Sequence, residues 1–183
     1  MEAHRTVSAP ALYFILHNIR SAYNVGAIFR TADGIGVATV YCSGYTCPPH
    51  DGTRSWTTKP ERMIGKTALG ADQMVPWEKW DDSLALLRML RDRGVRIVAL
   101  EQTPNSVPVT QFRSDGRPVA LILGNEPRGI ESSVLEHCDA AVDIPMRGQK
   151  ESLNVSVAAG VAGYTLYDIL NGEMICNDSD NVH

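Results

Sequence analysis

The sequence predicts an α/β domain built on a mainly parallel sheet. Short apolar runs recur along the chain, and segments with helical periodicity separate them. The runs are continuous rather than alternating, which is typical of strands buried on both faces. With 183 residues and a hydrophobic content of 44%, the chain is long enough for one sizeable core. We therefore expect one domain over residues 1–183, with loose tails at 1–10 and 171–183.

The first third of the chain predicts a strand, a helix and a second strand. Residues 11–16 (ALYFIL) and 37–42 (VATVYC) are the apolar runs. Residues 22–35 carry apolar side chains at helical spacing, and two glycines at the end of this segment favour a helix stop. Residues 43–65 contain three prolines and several glycines, which predicts a long irregular loop.

The rest of the chain continues the alternation. Residues 75–80 lead into a helix at 81–93, which Asp81 or Asp82 can cap. The last helix follows a polar loop, and Glu151 or Ser152 can cap it. Further strands are expected at 95–100, 118–123 and 140–144, further helices at 132–138 and 153–170, a short helical or turn segment at 66–71, and polar loops at 101–116 and 147–152.

The charge balance limits the classes of partner. A net charge of −4 argues against a general polyanion binder, so any contact with nucleic acid needs a local basic patch. One candidate patch lies in and just after the predicted loop, where basic residues alternate with Tyr45 and Trp56. Such a mixture suits phosphate contact together with base stacking, and a solvated charged loop is an equal alternative. The candidate RNA-binding residues are Arg54, Lys59, Arg62 and Lys66.

Metal binding and membrane insertion are not expected. Cys42, Cys47 and His50 lie close together, but no second ligand pair follows at the spacing of a zinc site. We expect reduced cysteines of an intracellular protein. No segment approaches the roughly 18 apolar residues of a membrane span, and no apolar run follows a basic start. These features predict a cytoplasmic protein without a signal peptide.

Three motifs lie at strand–helix junctions, where open α/β sheets bind ligands. The first runs from Asn24 to Arg30 on the first helix, with a glycine between them. The second is LGNEPRGI, residues 123–130, directly after a buried strand. The third is IPMRGQKESLNVS, residues 144–156, in which polar side chains alternate near a helix start. Each has an ordinary alternative: an amphipathic helix, a tight turn and a packing helix.

Taken together and in this order, the motifs resemble those of the SpoU class of the SPOUT superfamily. These proteins are S-adenosylmethionine (AdoMet)-dependent methyltransferases that modify a ribose 2′-hydroxyl of RNA. The resemblance extends from about residue 12 to residue 170. Asn24-x-Gly-x-x-x-Arg30 is similar to the first family motif, 123–129 to the second and 144–156 to the third.

The resemblance implies a trefoil knot near the carboxyl end, which is rare among folds. It also implies a homodimer in which the partner subunit completes each site, AdoMet as cofactor, and tRNA or rRNA as substrate. Because Arg keeps its proton at ordinary pH, we expect Arg30 to hold a phosphate and stabilise developing negative charge rather than act as a base. The implied catalytic residues are Arg30, Asn24, Glu126, Ser152 and Asn154, and the implied cofactor-binding residues are Leu100, Gly124, Ile144, Met146 and Leu153.

Two other functions are compatible with parts of the sequence. A nucleotide-binding oxidoreductase on a doubly wound sheet is disfavoured, because no G-x-G-x-x-G follows the first strand. A non-catalytic RNA-binding or dimerisation module on the same fold is the other alternative. Pure binding does not require the set of Asn24, Arg30, Glu126, Ser152 and Asn154.

Overall fold

The computed structural model describes residues 10–125 and 128–172. Within these residues seven parallel strands form one sheet, in the order β3-β2-β1-β6-β4-β7-β5. The predicted α/β class with a parallel sheet is confirmed, and the trefoil knot stays a prediction from the resemblance. The strands are β1 (Leu12–His17), β2 (Thr39–Ser43), β3 (Trp77–Trp80), β4 (Arg96–Leu100), β5 (Val107–Pro108), β6 (Val119–Leu123) and β7 (Ala140–Asp143).

Helices cover both faces of the sheet. Because successive strand residues point to opposite faces, Phe14 packs into one hydrophobic cluster and Ile15 into the other. The first cluster lies under α1, α2, α3 and α6, and the second under α4 and α5. The helices are α1 (Ala22–Ile35), α2 (Lys59–Ala68), α3 (Ala71–Met74), α4 (Ser83–Asp92), α5 (Ser132–Leu135) and α6 (Val155–Leu170), with a 3₁₀ turn at Val109–Gln111.

The register of the central strands sets the position of the site. Leu123 pairs with Leu16 on one side and with Leu100 on the other, and Leu100 pairs with Val142. The loops that follow β1, β6, β4 and β7 therefore leave the sheet at one common edge. This edge is the carboxyl end of the parallel strands, where ligands of open α/β sheets bind.

Helix α1 has the predicted bounds. The Ser21 side chain accepts a hydrogen bond from the Asn24 backbone N–H at 3.3 Å and caps the amino end. Gly36 ends the helix in the left-handed conformation, with φ of 83°. The prediction that Asp82 or its neighbour caps the next long helix is also confirmed, because Asp82 accepts from the Ala85 N–H.

The prediction of one irregular loop over 43–65 is wrong in its second part. Helix α2 begins at Lys59, because Thr58 and Glu61 form a capping box. The Thr58 hydroxyl accepts from the Glu61 N–H at 3.3 Å, and Glu61 accepts from the Thr58 N–H at 2.6 Å. Pro60 lies in the first turn, where a missing N–H has no cost.

Four further predictions need correction. Residues 75–80 contain the edge strand β3, and the loop predicted at 101–116 contains β5 and the 3₁₀ turn. Helix α5 ends at Leu135 rather than at 138. Neither Glu151 nor Ser152 caps α6; Asn154 does, because its side chain accepts from the Ser156 N–H at 2.9 Å. No helix in the described ranges is long and apolar enough to cross a bilayer.

Candidate active site

A cleft of about 320 Å³ opens at the carboxyl edge of the sheet. Its walls come from the ends of β4, β6 and β7 and from the start of α6. Every residue that the sequence predicts for cofactor binding lines this one cleft, although these residues come from three separate segments. The lining residues are Leu100, Glu101, Gln102, Leu123, Gly124, Asn125, Gly129, Asp143, Ile144, Met146, Glu151, Ser152, Leu153, Val155 and Ala158.

Hydrogen bonds tie the loops of the cleft to one another. The Glu101 carboxylate accepts from the Ile130 N–H at 2.9 Å, and the Gln102 side chain donates to the Glu151 carbonyl at 2.8 Å. At Gly124 a Cβ would lie 2.9 Å from the Gly129 carbonyl carbon, so the turn excludes a side chain there. The described residues of the second motif therefore pack against the loop after β4, and Asn125 and Gly129 form a bridge.

Asn125 is buried and holds the centre of that turn. Its side-chain N–H₂ donates to the Asn18 carbonyl at 2.8 Å and to the Tyr45 hydroxyl. Its side-chain oxygen accepts from the Arg128 N–H at 3.2 Å. The sequence analysis did not select Asn125, Glu101 or Gln102, although Asn125 lies inside the second motif. Their roles depend on contacts between loops far apart in the chain.

Two of the predicted catalytic residues join the first and third motifs. The Asn154 side chain donates to the Asn24 side-chain oxygen at 3.2 Å while its own oxygen caps α6. Ser152 lines the cleft two residues earlier. Glu126 lies outside the described residues.

Arg30 is not placed in the cleft by this single chain. It lies on α1 with an exposed side chain and is absent from the cleft lining in the described ranges. Asn24 and Arg30 are six residues apart, less than two helical turns. The role of Arg30 in the site therefore stays a prediction, which the resemblance links to a site completed by a partner subunit.

The predicted RNA-binding residues lie in two different environments. Lys59, Arg62 and Lys66 are exposed on α2, whereas Arg54 forms an ion pair with Glu61 and stacks over the Trp56 ring, 4.4 Å from its centroid. Burial raises the pKa of Glu61, but hydrogen bonds from the Thr58 N–H and the Arg54 guanidinium outweigh it and lower that pKa. Arg54 is therefore paired with a carboxylate of α2.

A second polar network lies beside the turn of Asn125. His17 is buried at the end of β1, and its Nε2 lies 2.5 Å from Glu131 Oε2. Its Nδ1 lies 3.1 Å from the Ser43 hydroxyl and 3.0 Å from that of Ser83. The hydrogen bond to His17 lowers the pKa of Glu131. Asn18 also donates to Glu131, at 3.0 Å, so the loops after β1 and β6 are joined.

Cysteine and metal chemistry find no support in the described residues. Burial raises the pKa of Cys42 to about 12, so its thiol stays protonated at neutral pH. No group of three or more His, Cys, Asp or Glu side chains with metal-binding geometry occurs within 10–125 and 128–172.

The family model described as the SpoU rRNA Methylase family matches residues 11–164. The chain belongs to this family. A 23S rRNA (guanosine-2′-O-)-methyltransferase of Ralstonia nicotianae is 34% identical to this SpoU protein over 156 residues, which are 85% of this chain and 57% of the relative. The SpoU chain thus spans little more than half the length of that curated relative.

Solved structures share this SpoU fold. An AdoMet-bound rRNA methyltransferase from Sinorhizobium meliloti superposes with a TM-score of 0.75 at 25% identity, over 86% of this chain and 56% of that one. A structure described as giving insights into the 2-OH methylation of C/U34 on tRNA superposes with a TM-score of 0.68 at 26% identity. It matches 89% of this chain and 98% of its own, so it is a protein of similar extent.

Proposed function

We propose that this SpoU protein transfers a methyl group from AdoMet to a ribose 2′-hydroxyl of RNA. The observation that carries the proposal is the cleft, which gathers the second and third family motifs at the carboxyl edge of the sheet. A curated relative named as a guanosine-2′-O-methyltransferase and a solved structure described by the 2-OH methylation of tRNA support the same reaction.

The cleft has the composition that AdoMet requires. Its volume of about 320 Å³ lies within the usual range of small-molecule sites. Leu100, Ile144 and Met146 offer apolar walls for an adenine ring. Carboxylates of Glu101 and Asp143 border the same space and suit a ligand with a positive sulfonium. The predicted cofactor residues therefore fit the cofactor that the family implies.

The residues of this chain would position the ribose and stabilise charge. When bound, AdoMet supplies a methyl group on a positively charged sulfur, to which the ribose oxygen bonds as the carbon–sulfur bond breaks. We assign Ser152, Asn154 and Asn24 to placing the nucleotide, because they link the cleft with α1. Arg30 would hold the adjacent phosphate and stabilise negative charge on the attacking oxygen, whose proton leaves to solvent. Much of the rate would come from this placement.

Arg30 would reach the cleft in a homodimer. The face of α6 exposes Val157, Val161 and Tyr164, by 52%, 43% and 50%, at helical spacing. Tyr23 on the neighbouring α1 is 44% exposed, and α6 packs on α1. Such a row of exposed apolar side chains is typical of an interface. A symmetric pairing through these helices would carry Arg30 of one protomer to the cleft of its partner.

The first experiment tests the cofactor and the reaction. Isothermal titration should show binding of AdoMet and none of NAD, and Leu153→Ala should weaken AdoMet binding. Transfer of tritium from labelled AdoMet to tRNA or to rRNA should then identify the substrate class. NAD binding would indicate the oxidoreductase, and AdoMet binding without transfer to either RNA would indicate a non-catalytic module.

The second experiment tests the shared site. Arg30→Ala removes the guanidinium, and Met146→Trp fills the cleft. When the two variants are co-expressed with different tags, heterodimers have one intact site, and about a quarter of wild-type activity should return because random pairing makes half the dimers mixed. No recovery would mean that Arg30 serves its own cleft.

We also expect the protein in the cytoplasmic fraction, together with its RNA.

A further inference from the structure

Tyr45 is a strongly exposed aromatic residue inside a rigid turn. Its side chain is 58% exposed, yet Thr46 beside it is fully buried. The Thr46 hydroxyl donates to the Leu16 carbonyl at 2.6 Å and accepts from the Ile19 N–H at 2.9 Å. On the other side Gly44 has φ of 61°, and a Cβ there would overlap the Asn18 side chain. The turn thus has one conformation, and it presents Tyr45 outward.

The tyrosine itself is held at both ends. Its backbone N–H donates to the Asn18 side-chain oxygen at 3.1 Å. Its hydroxyl oxygen accepts from the Asn125 side chain. Because Asn125 lines the cleft, the Tyr45 hydroxyl lies one hydrogen bond away from a residue of the cleft wall.

The hydrogen bond satisfies a buried donor of Asn125, but it does not account for the exposure of the Tyr45 ring. Ordering a large side chain costs conformational entropy, which is normally offset by burial of its apolar surface. Here the residue remains 58% exposed to water. A flat ring that is already ordered next to a binding site can accept a ligand ring at little further entropy cost.

Trp56, the other exposed aromatic residue of this loop, differs in both respects. The Arg54 guanidinium stacks on its ring, and in the described residues no hydrogen bond links Trp56 to the cleft. Trp56 therefore suits general contact with a strand of nucleic acid. Tyr45 suits contact with the nucleotide whose ribose enters the cleft. The base of that nucleotide is bonded to the ribose, so it must also lie close to the cleft.

We propose that the Tyr45 ring stacks on the base of the nucleotide whose ribose is methylated. The proposal rests on the proposed function, since it assumes that the ribose approaches the cleft. Stacking on an aromatic side chain tolerates any base, because every base has a π face. Tyr45 would then orient the target nucleotide, and its hydroxyl would keep the ring in register with Asn125.

The test separates base stacking from phosphate binding. Protein saturated with S-adenosylhomocysteine is titrated with fluorescent oligoadenylate and with an abasic ribose-phosphate oligomer of equal length. Tyr45→Ala should weaken binding of oligoadenylate by about 5- to 150-fold, as expected for one lost stacking contact. Binding of the abasic oligomer should stay unchanged. Tyr45→Phe keeps the ring, so it should still bind oligoadenylate more tightly than the abasic oligomer, by nearly the same factor as the wild type.

Two controls protect the interpretation. Met74→Ala removes an exposed side chain on α3, 74% accessible, and should change neither titration. The AdoMet affinity of Tyr45→Ala, measured by isothermal titration, should equal that of the wild type. Equal loss for both oligomers, no loss with Tyr45→Ala, or a matching loss of AdoMet affinity would each overturn the proposal. If the wild type binds oligoadenylate more tightly than the abasic oligomer but methylates no RNA, the stacking role of Tyr45 is supported. Only the proposed reaction is then refuted.

Discussion

Gly26 is required where α1 crosses α2, and its replacement by alanine should destabilise the fold. A Cβ at position 26 would lie 3.0 Å from the Ile64 carbonyl carbon and closer still to its oxygen and to Thr67 Oγ1. Ordinary contact begins at 3.4 Å, so the carbonyl carbon alone requires a separation of 0.4 Å, and the nearer oxygen atoms require considerably more. That movement also strains the hydrogen bond from the Thr67 hydroxyl to the Tyr23 carbonyl, 3.0 Å long.

The expected cost follows from two opposing terms. Overpacking costs about 1–3 kcal/mol, and the upper end applies because the obstacle is backbone. Replacing a helical glycine by alanine returns about 1 kcal/mol. Gly26→Ala should therefore lose about 2 kcal/mol, which lowers Tm by about 4–8 °C for a chain of this size. Because α1 carries Asn24 and Arg30, methyl transfer should fall as well.

Gly65 gives a matched control on the facing helix. A Cβ there would meet only Asp72 Oδ2, at 3.8 Å, which is ordinary contact. Gly65→Ala should stabilise the protein by about 0.5–1 kcal/mol through the smaller entropy of the unfolded chain. Urea unfolding of both variants measures the difference. A Gly26→Ala protein as stable as the wild type, or shifts of the same sign in both variants, would refute the reasoning.

Further predictions concern the cap, the buried histidine and the basic helix. Asn154→Ala should cost about 1 kcal/mol in urea unfolding through loss of the α6 cap. Asn154→Asp should restore that stability but not methyl transfer, because it cannot donate to Asn24. Hydrogen bonding to His17 lowers the pKa of Glu131, so its contribution to stability is complete above the unfolded pKa of about 4.3 and is lost as pH falls through the lower folded value. The wild type should therefore exceed Glu131→Gln in thermal stability at pH 7, and the two should converge in acid. If Lys59 contacts a phosphate, Lys59→Ala should reduce by about one the slope of the logarithm of the RNA-binding constant against the logarithm of the salt concentration. An unchanged slope would exclude that contact.

Local sequence patterns were sufficient to predict those helices and strands whose formation depends mainly on residues within the element. The bounds of α1 could be predicted because its apolar spacing, cap and terminal glycine all lie within the helix. Strands β1, β4 and β6 are continuous apolar runs, since both faces of the sheet are covered. The cofactor residues could be proposed only through the family motifs, and the structure places them in one cleft.

Elements that depend on contacts with other parts of the chain were not predicted from the sequence. β3 has half-exposed or exposed residues and few apolar ones, so only its pairing with β2 makes it a strand. The start of α2 was hidden by prolines and glycines around it, although Thr58 and Glu61 have the spacing of a capping box. The network of His17, Asn18 and Glu131 joins residues more than a hundred positions apart.

The sequence by itself determined the α/β class, the order of the main strands and helices, and the family, because these follow from periodicity and from motifs within continuous segments. The tertiary structure decided which loops meet at the carboxyl edge, that Asn154 rather than Ser152 caps α6, and that Arg30 lies outside the cleft of its own subunit. It also showed Tyr45 held against Asn125. These relations are distances between segments far apart in the chain, and strand register and helix packing set such distances.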